Sequence, residues 1–355
     1  MSAWVAAAPE LAARTLQIAP EAWRATLETY RARVLPAPAN ESVDDEISRC
    51  LAVLAAAFAD HNPHAAPSPV ATTLSTCPAC GARAVRPFIA RSPSMIYGRC
   101  GACGHGVLLD GDIDDAARTD AIRARYADVN YYRARAADGA GYDSYDRENA
   151  YREAKGARLI ERIGAHTPPS RALLEIGSGY GYTRIAAARA GWTTTGVDVN
   201  RNACDEAAHR YDLATFCGTL ADALATPGSG ITRGAFDVVL YQFVLEHVVD
   251  PAAELALAHA ALKPGGRVAL LVPSMEAAEI DAFGAAYRSF RADHLHLYSH
   301  ASLAATFATA GFAAPTCESH CNLHLLGPFL SPAALNHLYA SGRGPDLFVT
   351  AERLP

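Results

Sequence analysis

The sequence predicts an α/β fold whose core is a doubly wound, mostly parallel sheet of seven strands, preceded by a helical cap and a small cysteine-bearing module. Three observations lead to this prediction. From about residue 170, short runs of β-branched residues alternate with Ala-rich segments of helical spacing. A glycine-rich turn, GSGYG (177–181), directly follows the first of these runs. Two CxxC pairs stand ahead of this region.

Composition narrows the class of protein. The chain has 355 residues, which is enough for two domains, and a formal net charge of -6. No apolar run is long enough to cross a bilayer, and the opening stretch MSAWVAAAPELAAR lacks the basic region of a secretory signal. We therefore expect a cytoplasmic protein with no membrane partner. The acidic balance gives no bulk attraction to a phosphate backbone, which argues against nucleic acid and favours a small-molecule substrate.

The first 62 residues predict a helical N-terminal cap. The stretches EAWRATLETYRARVL and VDDEISRCLAVLAAAFA place apolar residues at helical spacing. Asp44 and Asp45 follow Ser42, in the first turn of a helix, where acidic residues are stabilising. A contact in a homodimer or a gate over the substrate is the alternative interpretation. The Pro-punctuated stretch 61–73 is predicted to be a linker.

The cysteine module spans about 74–110. Its two pairs, Cys77 with Cys80 and Cys100 with Cys103, are separated by 19 residues. Four thiolates at this spacing suit a tetrahedral Zn²⁺ ion, so we predict a structural zinc ribbon. Closed four-thiolate coordination leaves no open position for catalysis, and iron is the less favoured occupant. The module is locally basic because it carries four arginines: Arg83, Arg86, Arg91 and Arg99.

A Tyr- and Arg-rich segment and then a strand–helix repeat follow. Residues 111–165 are interpreted as a linker or lid whose last part is helical, and residues 166–355 as the main domain. Strands are expected at 172–177, 193–199, 214–218, 236–242 and 267–273, with closing strands near 313–319 and at 346–352. Alternation of strands and helices predicts a parallel sheet covered on both faces.

The glycine-rich turn is the most informative segment. Glycines allow the backbone to turn tightly and leave room for a ligand beyond the carboxyl end of the strand. The position of the third glycine of a dinucleotide motif is taken by the bulky Tyr182, and no Lys-Ser/Thr pair ends the turn as in a triphosphate loop. Glu175 precedes the glycines, where an acid would repel a pyrophosphate but suits a cationic amino group.

The second strand ends in GVDVN (196–200), which places Asp198 at its tip. A carboxylate there can accept hydrogen bonds from both hydroxyls of a ribose. An isolated Asp in this position is more often a helix cap. Because Asp198 stands in register with the glycine-rich turn, we interpret it as a ligand-binding residue.

The ordered motifs LLEIGSGYG, VDVN, FDVVLYQFVLEHVVDP and LKPGGRVALLVPS resemble the Rossmann-like class I S-adenosylmethionine-dependent methyltransferases over about 150–355. The resemblance implies S-adenosylmethionine as cofactor. It implies that Glu175, Gly177, Ser178 and Gly179 surround the methionine part. It also implies that Asp198 holds the ribose, and that further residues contact the adenine or the amino group: Val199, Thr219, Leu220 and the backbone of Gln242. Asp222 is an alternative partner of the adenine.

Two sets of residues are candidates for catalysis. His247, next to Glu246, could act as a general base near neutral pH, and His294 with His296 could line the acceptor pocket. The alternative for both sets is that they orient loops. The resemblance also implies that Tyr142 and Tyr145 close the site.

The sequence thus predicts methyl transfer to an O, N or C nucleophile of a small molecule. A cysteine module ahead of such a domain resembles bacterial methyltransferases of deoxysugars and other secondary-metabolite intermediates. Two alternatives are ribosomal RNA methylation, whose enzymes usually close their zinc element with a histidine, and a non-catalytic scaffold that binds the cofactor.

Overall fold

The structure, a computed structural model, describes residues 41–59, 75–92, 95–109, 115–133, 149–164, 171–321 and 325–355, with isolated positions at 21, 23–25, 28, 141 and 145. The predicted linker at 61–73, most of the predicted cap before residue 41, and Tyr142 lie outside the described residues.

The described strands, in chain order, are β1 Ser75–Thr76, β2 Arg83–Ser92, β3 Met95–Cys100, β4 Gly106–Leu109, β5 Ala172–Ile176, β6 Thr193–Asp198, β7 Thr215–Cys217, β8 Phe236–Gln242, β9 Leu262–Pro273, β10 His296–Leu297, β11 Thr316–His320 and β12 Asp346–Glu352. The described α-helices are α1 Val43–Ala59, α2 Asp115–Ala127, α3 Asn149–Gly164, α4 Tyr182–Arg189, α5 Arg201–Tyr211, α6 Leu220–Ala225, α7 Pro251–Ala261, α8 Ala278–Phe283, α9 His300–Thr309 and α10 Pro332–Ala340.

Seven strands form one sheet in the order β11-β12-β9-β8-β5-β6-β7. The pairs β5–β6, β5–β8, β6–β7 and β8–β9 are parallel. The predicted doubly wound sheet is therefore confirmed, although β9 begins at Leu262 rather than near residue 267. Strand order reverses between β5 and β8, and a crevice at such a reversal is where open α/β sheets bind ligands.

The chain divides into two compact units. The first contains Met1–Gly111, Pro273–Ser302 and Cys317–Phe348, and the second contains Asp112–Val272, Leu303–Thr316 and Val349–Pro355. The domain boundaries inferred from the sequence, near 62, 110 and 165, remain predictions.

In the second unit, helices α3 and α4 pack closely because Gly156 has no side chain. A Cβ atom on Gly156 would lie 2.8 Å from Cα of Thr183, a separation that real Cβ atoms do not reach. This approach places α3 beside the helix that begins directly after the glycine-rich turn. Helix α3, which precedes the first parallel strand β5, therefore lies near the end of β5 at which a ligand is predicted to bind.

The first unit has its own antiparallel sheet, in the order β1-β2-β3-β4-β10. Strand β10 pairs with β4, with His296 opposite Val107 and Leu297 opposite Gly106. An apolar cluster in this unit contains Trp23, Phe58, Phe283 and Phe329, and the Trp23 and Phe329 rings meet edge to face at 5.5 Å. Helix α1 begins at Val43 with Asp44 and Asp45 in its first turn, as predicted.

Within the described residues, no helix is both long enough and apolar enough to span a bilayer.

Candidate functional site

A cavity of about 680 Å³, which we call the large cavity, opens at the carboxyl ends of β5, β6 and β8. All the residues that line it belong to the second unit. Of the nine residues predicted to bind the cofactor, eight line the large cavity: Glu175, Gly177, Ser178, Asp198, Val199, Thr219, Leu220 and Gln242. The ninth, Gly179, does not line the cavity, but its backbone N–H donates a hydrogen bond to Asp198, which does. The sequence therefore located the cavity, while the role of each residue remains a prediction.

The backbone of the glycine-rich turn requires glycine. Gly177, Gly179 and Gly181 have φ angles of 68°, 51° and 83°, in the left-handed region that other residues rarely adopt. A Cβ atom on Gly179 would also lie 2.9 Å from Oη of Tyr145. The turn can thus present its backbone to a ligand without a side chain in the way.

Asp198 is buried, and two backbone N–H groups fix its carboxylate. Gly179 donates to Oδ2 at 2.7 Å, and Asn200 donates to Oδ1 at 2.8 Å. Each carboxylate oxygen has a second lone pair, so Asp198 can still accept two hydrogen bonds from a ligand. Burial raises the pKa of Asp198 to about 6, which leaves the group ionised at neutral pH. The Asp198 carboxylate is fixed in orientation and keeps one free lone pair on each oxygen, so it can accept hydrogen bonds from both hydroxyls of a vicinal diol.

Glu175 is also buried, but only one of its oxygens is used. Oε1 accepts a hydrogen bond from Nε2 of Gln242 at 2.5 Å, and Gln242 also donates to Oγ1 of Thr183 at 2.8 Å. Oε2 has no hydrogen-bond partner within the described part of the chain. Burial raises the pKa of Glu175 to about 8, against the opposing effect of the Arg184 guanidinium. A buried carboxylate oxygen without a donor fits a ligand ammonium group.

Thr219 and Asp222 form a capping box at the start of α6. The Thr219 backbone N–H donates to Oδ2 of Asp222 at 2.9 Å, and the Asp222 N–H donates to Oγ1 of Thr219 at 3.1 Å. Arg123 makes an ion pair with the same carboxylate at 2.9 Å. The Asp222 side chain is therefore held in contacts that stabilise the helix terminus, whereas Thr219 and Leu220 face the large cavity.

His247 lies at the end of a short 3₁₀-helix, Leu245–His247, and lines the large cavity. Oη of Tyr126 lies 2.9 Å from the ring nitrogens of His247, and the two rings are 4.8 Å apart. Glu246, which is fully buried, has a carboxylate oxygen 3.9 Å from Nε2 of His247. His247 therefore lines the large cavity with the Tyr126 hydroxyl beside both of its ring nitrogens, and its catalytic role remains a prediction.

Sequence reasoning missed Tyr126. It belongs to α2, a helix with no buried residues, and its backbone carbonyl accepts a hydrogen bond from Nδ2 of Asn200 at 2.7 Å. The same amide group donates to the Asp128 carbonyl at 2.8 Å. Asn200 therefore fixes the end of α2 over the large cavity. Tyr126 begins the Tyr-rich segment, but nothing in the spacing distinguishes it from the other tyrosines.

Phe243 was also missed. It follows β8 directly, lines the large cavity, and has a φ angle of 54°. A bulky residue in the left-handed region costs about 1–3 kcal/mol and persists only where the surroundings impose it. Such strain concentrates at functional sites, and here it turns the chain from β8 into the segment that carries His247.

Aromatic rings form another wall of the large cavity. Tyr145, predicted to close the site, contacts Tyr132 and Tyr180 at centroid distances of 4.7 Å and 5.0 Å. The guanidinium of Arg152 lies 4.0 Å from the centre of the Tyr145 ring. This packing supplies apolar surface that excludes water from the cavity.

His294 belongs to the first unit. Its Nδ1 lies 2.9 Å from the carbonyl oxygen of Ser289, and its own carbonyl accepts a hydrogen bond from Oη of Tyr97 at 2.6 Å. His296, also in the first unit, is buried, and its Nδ1 lies 3.0 Å from Nε2 of His105. The catalytic role of His294 remains a prediction.

The four predicted metal-binding cysteines meet at one point in the first unit. The Sγ atoms of Cys77 and Cys103 are 3.6 Å apart, those of Cys80 and Cys100 are 3.8 Å apart, and all four lie within 4.8 Å of one another. A tetrahedral site with Zn–S bonds of about 2.3 Å requires sulfur–sulfur separations of about 3.8 Å. The donor set and its dimensions fit a zinc ion.

The chain matches a family of known proteins. The family model described as "Methyltransferase domain" matches residues 129–315. The chain is 35% identical over 136 residues to the ubiquinone biosynthesis O-methyltransferase of Caulobacter vibrioides (strain CB 15), covering 36% of this chain and 52% of that protein. It is 41% identical over 96 residues to the protein of the same name from Paramagnetospirillum magneticum, covering 26% and 37%. The chain thus spans about half or less of the length of these relatives.

The chain is also similar to a solved structure. The 1,6-didemethyltoxoflavin-N1-methyltransferase of Burkholderia thailandensis matches 77% of this chain and 100% of its own, with 14% identity and a TM-score of 0.47.

Proposed function

The chain belongs to the methyltransferase-domain family, and from this premise we propose that it transfers a methyl group from S-adenosylmethionine to a hydroxyl group of a small molecule. One observation carries the proposal. At one edge of the sheet, a buried Glu175 oxygen without a donor lies in the same cavity as an Asp198 carboxylate with free lone pairs. An ammonium group and a ribose diol are the complementary groups, and S-adenosylmethionine carries both.

Different residues of the large cavity would bind different parts of this cofactor. Glu175 would bind the ammonium, Asp198 the ribose hydroxyls, and Val199, Thr219 and Leu220 would contact the base. When bound, the cofactor supplies an already activated methyl group, so the protein needs mainly to align the acceptor and accept its proton.

We assign to His247 the role of accepting the proton of the acceptor hydroxyl. A neutral imidazole in the cavity accepts the proton of an acceptor hydroxyl, while Tyr126 holds the ring by the contact at 2.9 Å. The aromatic wall at Tyr132 and Tyr145 excludes water that would compete for the base. The names of the relatives, which are O-methyltransferases, support a hydroxyl acceptor. A secondary-metabolite intermediate is the acceptor class that the cysteine module favours.

A structural zinc ion in the first unit is the second part of the proposal. Cys77, Cys80, Cys100 and Cys103 would bind it, and the sulfur–sulfur distances support this assignment. Four thiolates leave no coordination position for a substrate.

The proposal is tested by incubating the purified chain with methyl-labelled S-adenosylmethionine and small-molecule extracts of its host, then identifying labelled products by mass spectrometry. A labelled O-methyl product that depends on His247 supports it. Labelling of RNA instead, or cofactor binding without any turnover, would contradict it.

Glu175 predicts a pH dependence of cofactor binding. Because its pKa is raised to about 8, Glu175 is mostly protonated at pH 7, and binding an ammonium must expel that proton. We expect the affinity for S-adenosylhomocysteine to rise from about pH 7 to pH 8 by about fivefold, in proportion to the ionised fraction of Glu175. Asp198, with a pKa of about 6, is already ionised over this range. Calorimetry in two buffers of different ionisation enthalpy should detect up to about one proton released per ligand.

The matched variant is Glu175→Gln, which keeps the shape and cannot ionise. It should bind more weakly at pH 8 and show neither the slope nor the proton release. An unchanged slope in this variant would assign the titration to another group.

We expect substitutions of His247 and Tyr126 to lower kcat by different amounts. His247→Asn should lower kcat by about 10²–10⁴, the usual contribution of a general base. Tyr126→Phe removes the contact that holds the imidazole, so kcat should fall by about tenfold while KM for the cofactor stays constant. Steady-state kinetics over a range of pH measures both effects.

Tyr151→Phe is the control, because Tyr151 lies on α3 and does not line the large cavity. Equal losses in Tyr151→Phe and Tyr126→Phe would show that the effect comes from general destabilisation rather than from His247.

A further inference from the structure

A second cavity, of about 420 Å³, lies on the cysteine module and shares no lining residue with the large cavity. We call it the arginine cavity. Its lining consists of Arg86, Pro87, Phe88, Arg99, Cys100, Gly101 and Gly104. All of these belong to the first unit, and two of them are exposed arginines.

The two arginines are direct neighbours across a strand pair. Arg86 on β2 stands opposite Arg99 on β3, so their side chains leave the same face of the sheet. Like charges directly opposite each other are destabilising. Neither guanidinium forms an ion pair with another described residue. A pair of cations kept together in this way is the arrangement that an anion would stabilise.

The surroundings hold Arg99 in place. Its guanidinium carbon lies 5.6 Å from the centre of the Phe88 ring. A Cβ atom on Gly104 would lie 3.9 Å from Nη2 of Arg99, so the guanidinium lies beside the second cysteine turn. The pKa of the Glu276 carboxyl is lowered mainly by its hydrogen bond with the His300 side chain, and to a smaller extent by the charge of Arg99. The Glu276 carboxylate already accepts a hydrogen bond from the His300 backbone N–H at 3.0 Å.

The other two arginines of the module do not extend the site into a basic groove. Nη1 of Arg91 donates to the carbonyl oxygens of Tyr287 and Phe290, each at 3.0 Å, which commits its guanidinium to the fold of the first unit. Arg83 is exposed but lies outside the arginine cavity. The charge is therefore compact, which suits one small anion rather than a long polyanion.

We propose that Arg86 and Arg99 bind the phosphate or diphosphate group of a small molecule in the arginine cavity. Guanidinium groups match phosphate oxygens with paired N–H donors, and two of them facing each other can enclose one such group. Phe88 supplies an apolar wall for the rest of the ligand. This inference does not depend on the proposed methyl transfer.

The test is titration calorimetry of the full chain with inorganic phosphate and inorganic diphosphate. We expect saturable one-site binding that weakens as salt is raised. Arg86→Ala and Arg99→Ala should each weaken it by about tenfold or more, since each removes charged hydrogen bonds. Arg86→Lys and Arg99→Lys keep the charge and should retain part of the affinity.

Arg83→Ala is the matched control, because this arginine is exposed on the same strand outside the cavity. An equal loss in Arg83→Ala would show that the anions are attracted by the overall positive charge of the module rather than by this cavity. The absence of saturation with both anions would also overturn the proposal.

RNA is the competing ligand. Binding to single-stranded RNA that is lost equally in all three alanine variants, without diphosphate binding, would assign the surface to RNA. Zinc content and S-adenosylhomocysteine binding, measured on every variant, show whether the fold and the cofactor site are intact.

Discussion

Replacement of Asp198 by asparagine is expected to weaken the binding of S-adenosylhomocysteine strongly. Asn has the same shape, but its amide NH₂ would face one of the two backbone N–H groups, of Gly179 and Asn200, that now donate to the carboxylate. The variant also loses the charge that the ribose hydroxyls would meet. Two hydrogen bonds to a buried charged group contribute about 1.5–3 kcal/mol each. We therefore expect the dissociation constant to rise by about 100-fold or more.

Titration calorimetry measures this loss directly, and near-ultraviolet circular dichroism checks that the variant is folded. Asp205→Asn is the control, because Asp205 is an exposed carboxylate on the following helix, α5, and does not line the large cavity. Unchanged affinity in a folded Asp198→Asn variant would show that the ribose does not bind at the end of β6.

Loss of one metal-binding cysteine is expected to have the second large effect. The apolar cluster around the cysteine turns is small and consists of three of the cysteines with Ala79 and Val85. Such a cluster cannot by itself offset the chain entropy of ordering these turns without a metal. Binding of a structural zinc ion contributes about 10–16 kcal/mol to the folding of small modules. Cys103→Ser should therefore lose the zinc and unfold the module.

Elemental analysis should find about one zinc ion per chain in the native protein and almost none in Cys103→Ser. Differential scanning calorimetry should show an early transition in this variant, and in the native protein after treatment with a strong chelator. Cys317→Ser is the matched control, since Cys317 is a half-buried cysteine of the same unit outside the cluster. Iron in place of zinc would correct the metal, while a metal-free native protein would refute the site.

Much of the fold followed from local sequence. The strands of the sheet were predicted because β-branched runs and helical spacing alternate, and both patterns are local. The turn at Gly177, Gly179 and Gly181 was recognised because only glycine adopts the required φ angles without strain. Asp198 was placed at the ligand edge because parallel strands end on the same side of a sheet. The four cysteines were grouped from their spacing alone.

Other features of the site have no local signature. Tyr126 and His247 are 121 residues apart in sequence, and neither residue type nor spacing indicates that they meet. The amide side chain of Gln242 was assigned no role, yet it donates to Glu175 from the neighbouring strand. His105 and His296 are 191 residues apart and meet because β10 adds to the edge of the module's sheet.

The sequence by itself determined which segments form the strands of the seven-stranded sheet and the helices between them, where the ligand edge lies, and which four thiolates can share a metal. Each of these depends on periodicity, on turn geometry, or on short spacings that the chain carries locally. Only the tertiary structure decided that Tyr126 contacts His247, that one Glu175 oxygen remains without a donor, and that Arg86 faces Arg99. These contacts depend on strand register and on packing between distant segments, which are settled by the free energy of the whole fold rather than by any local pattern.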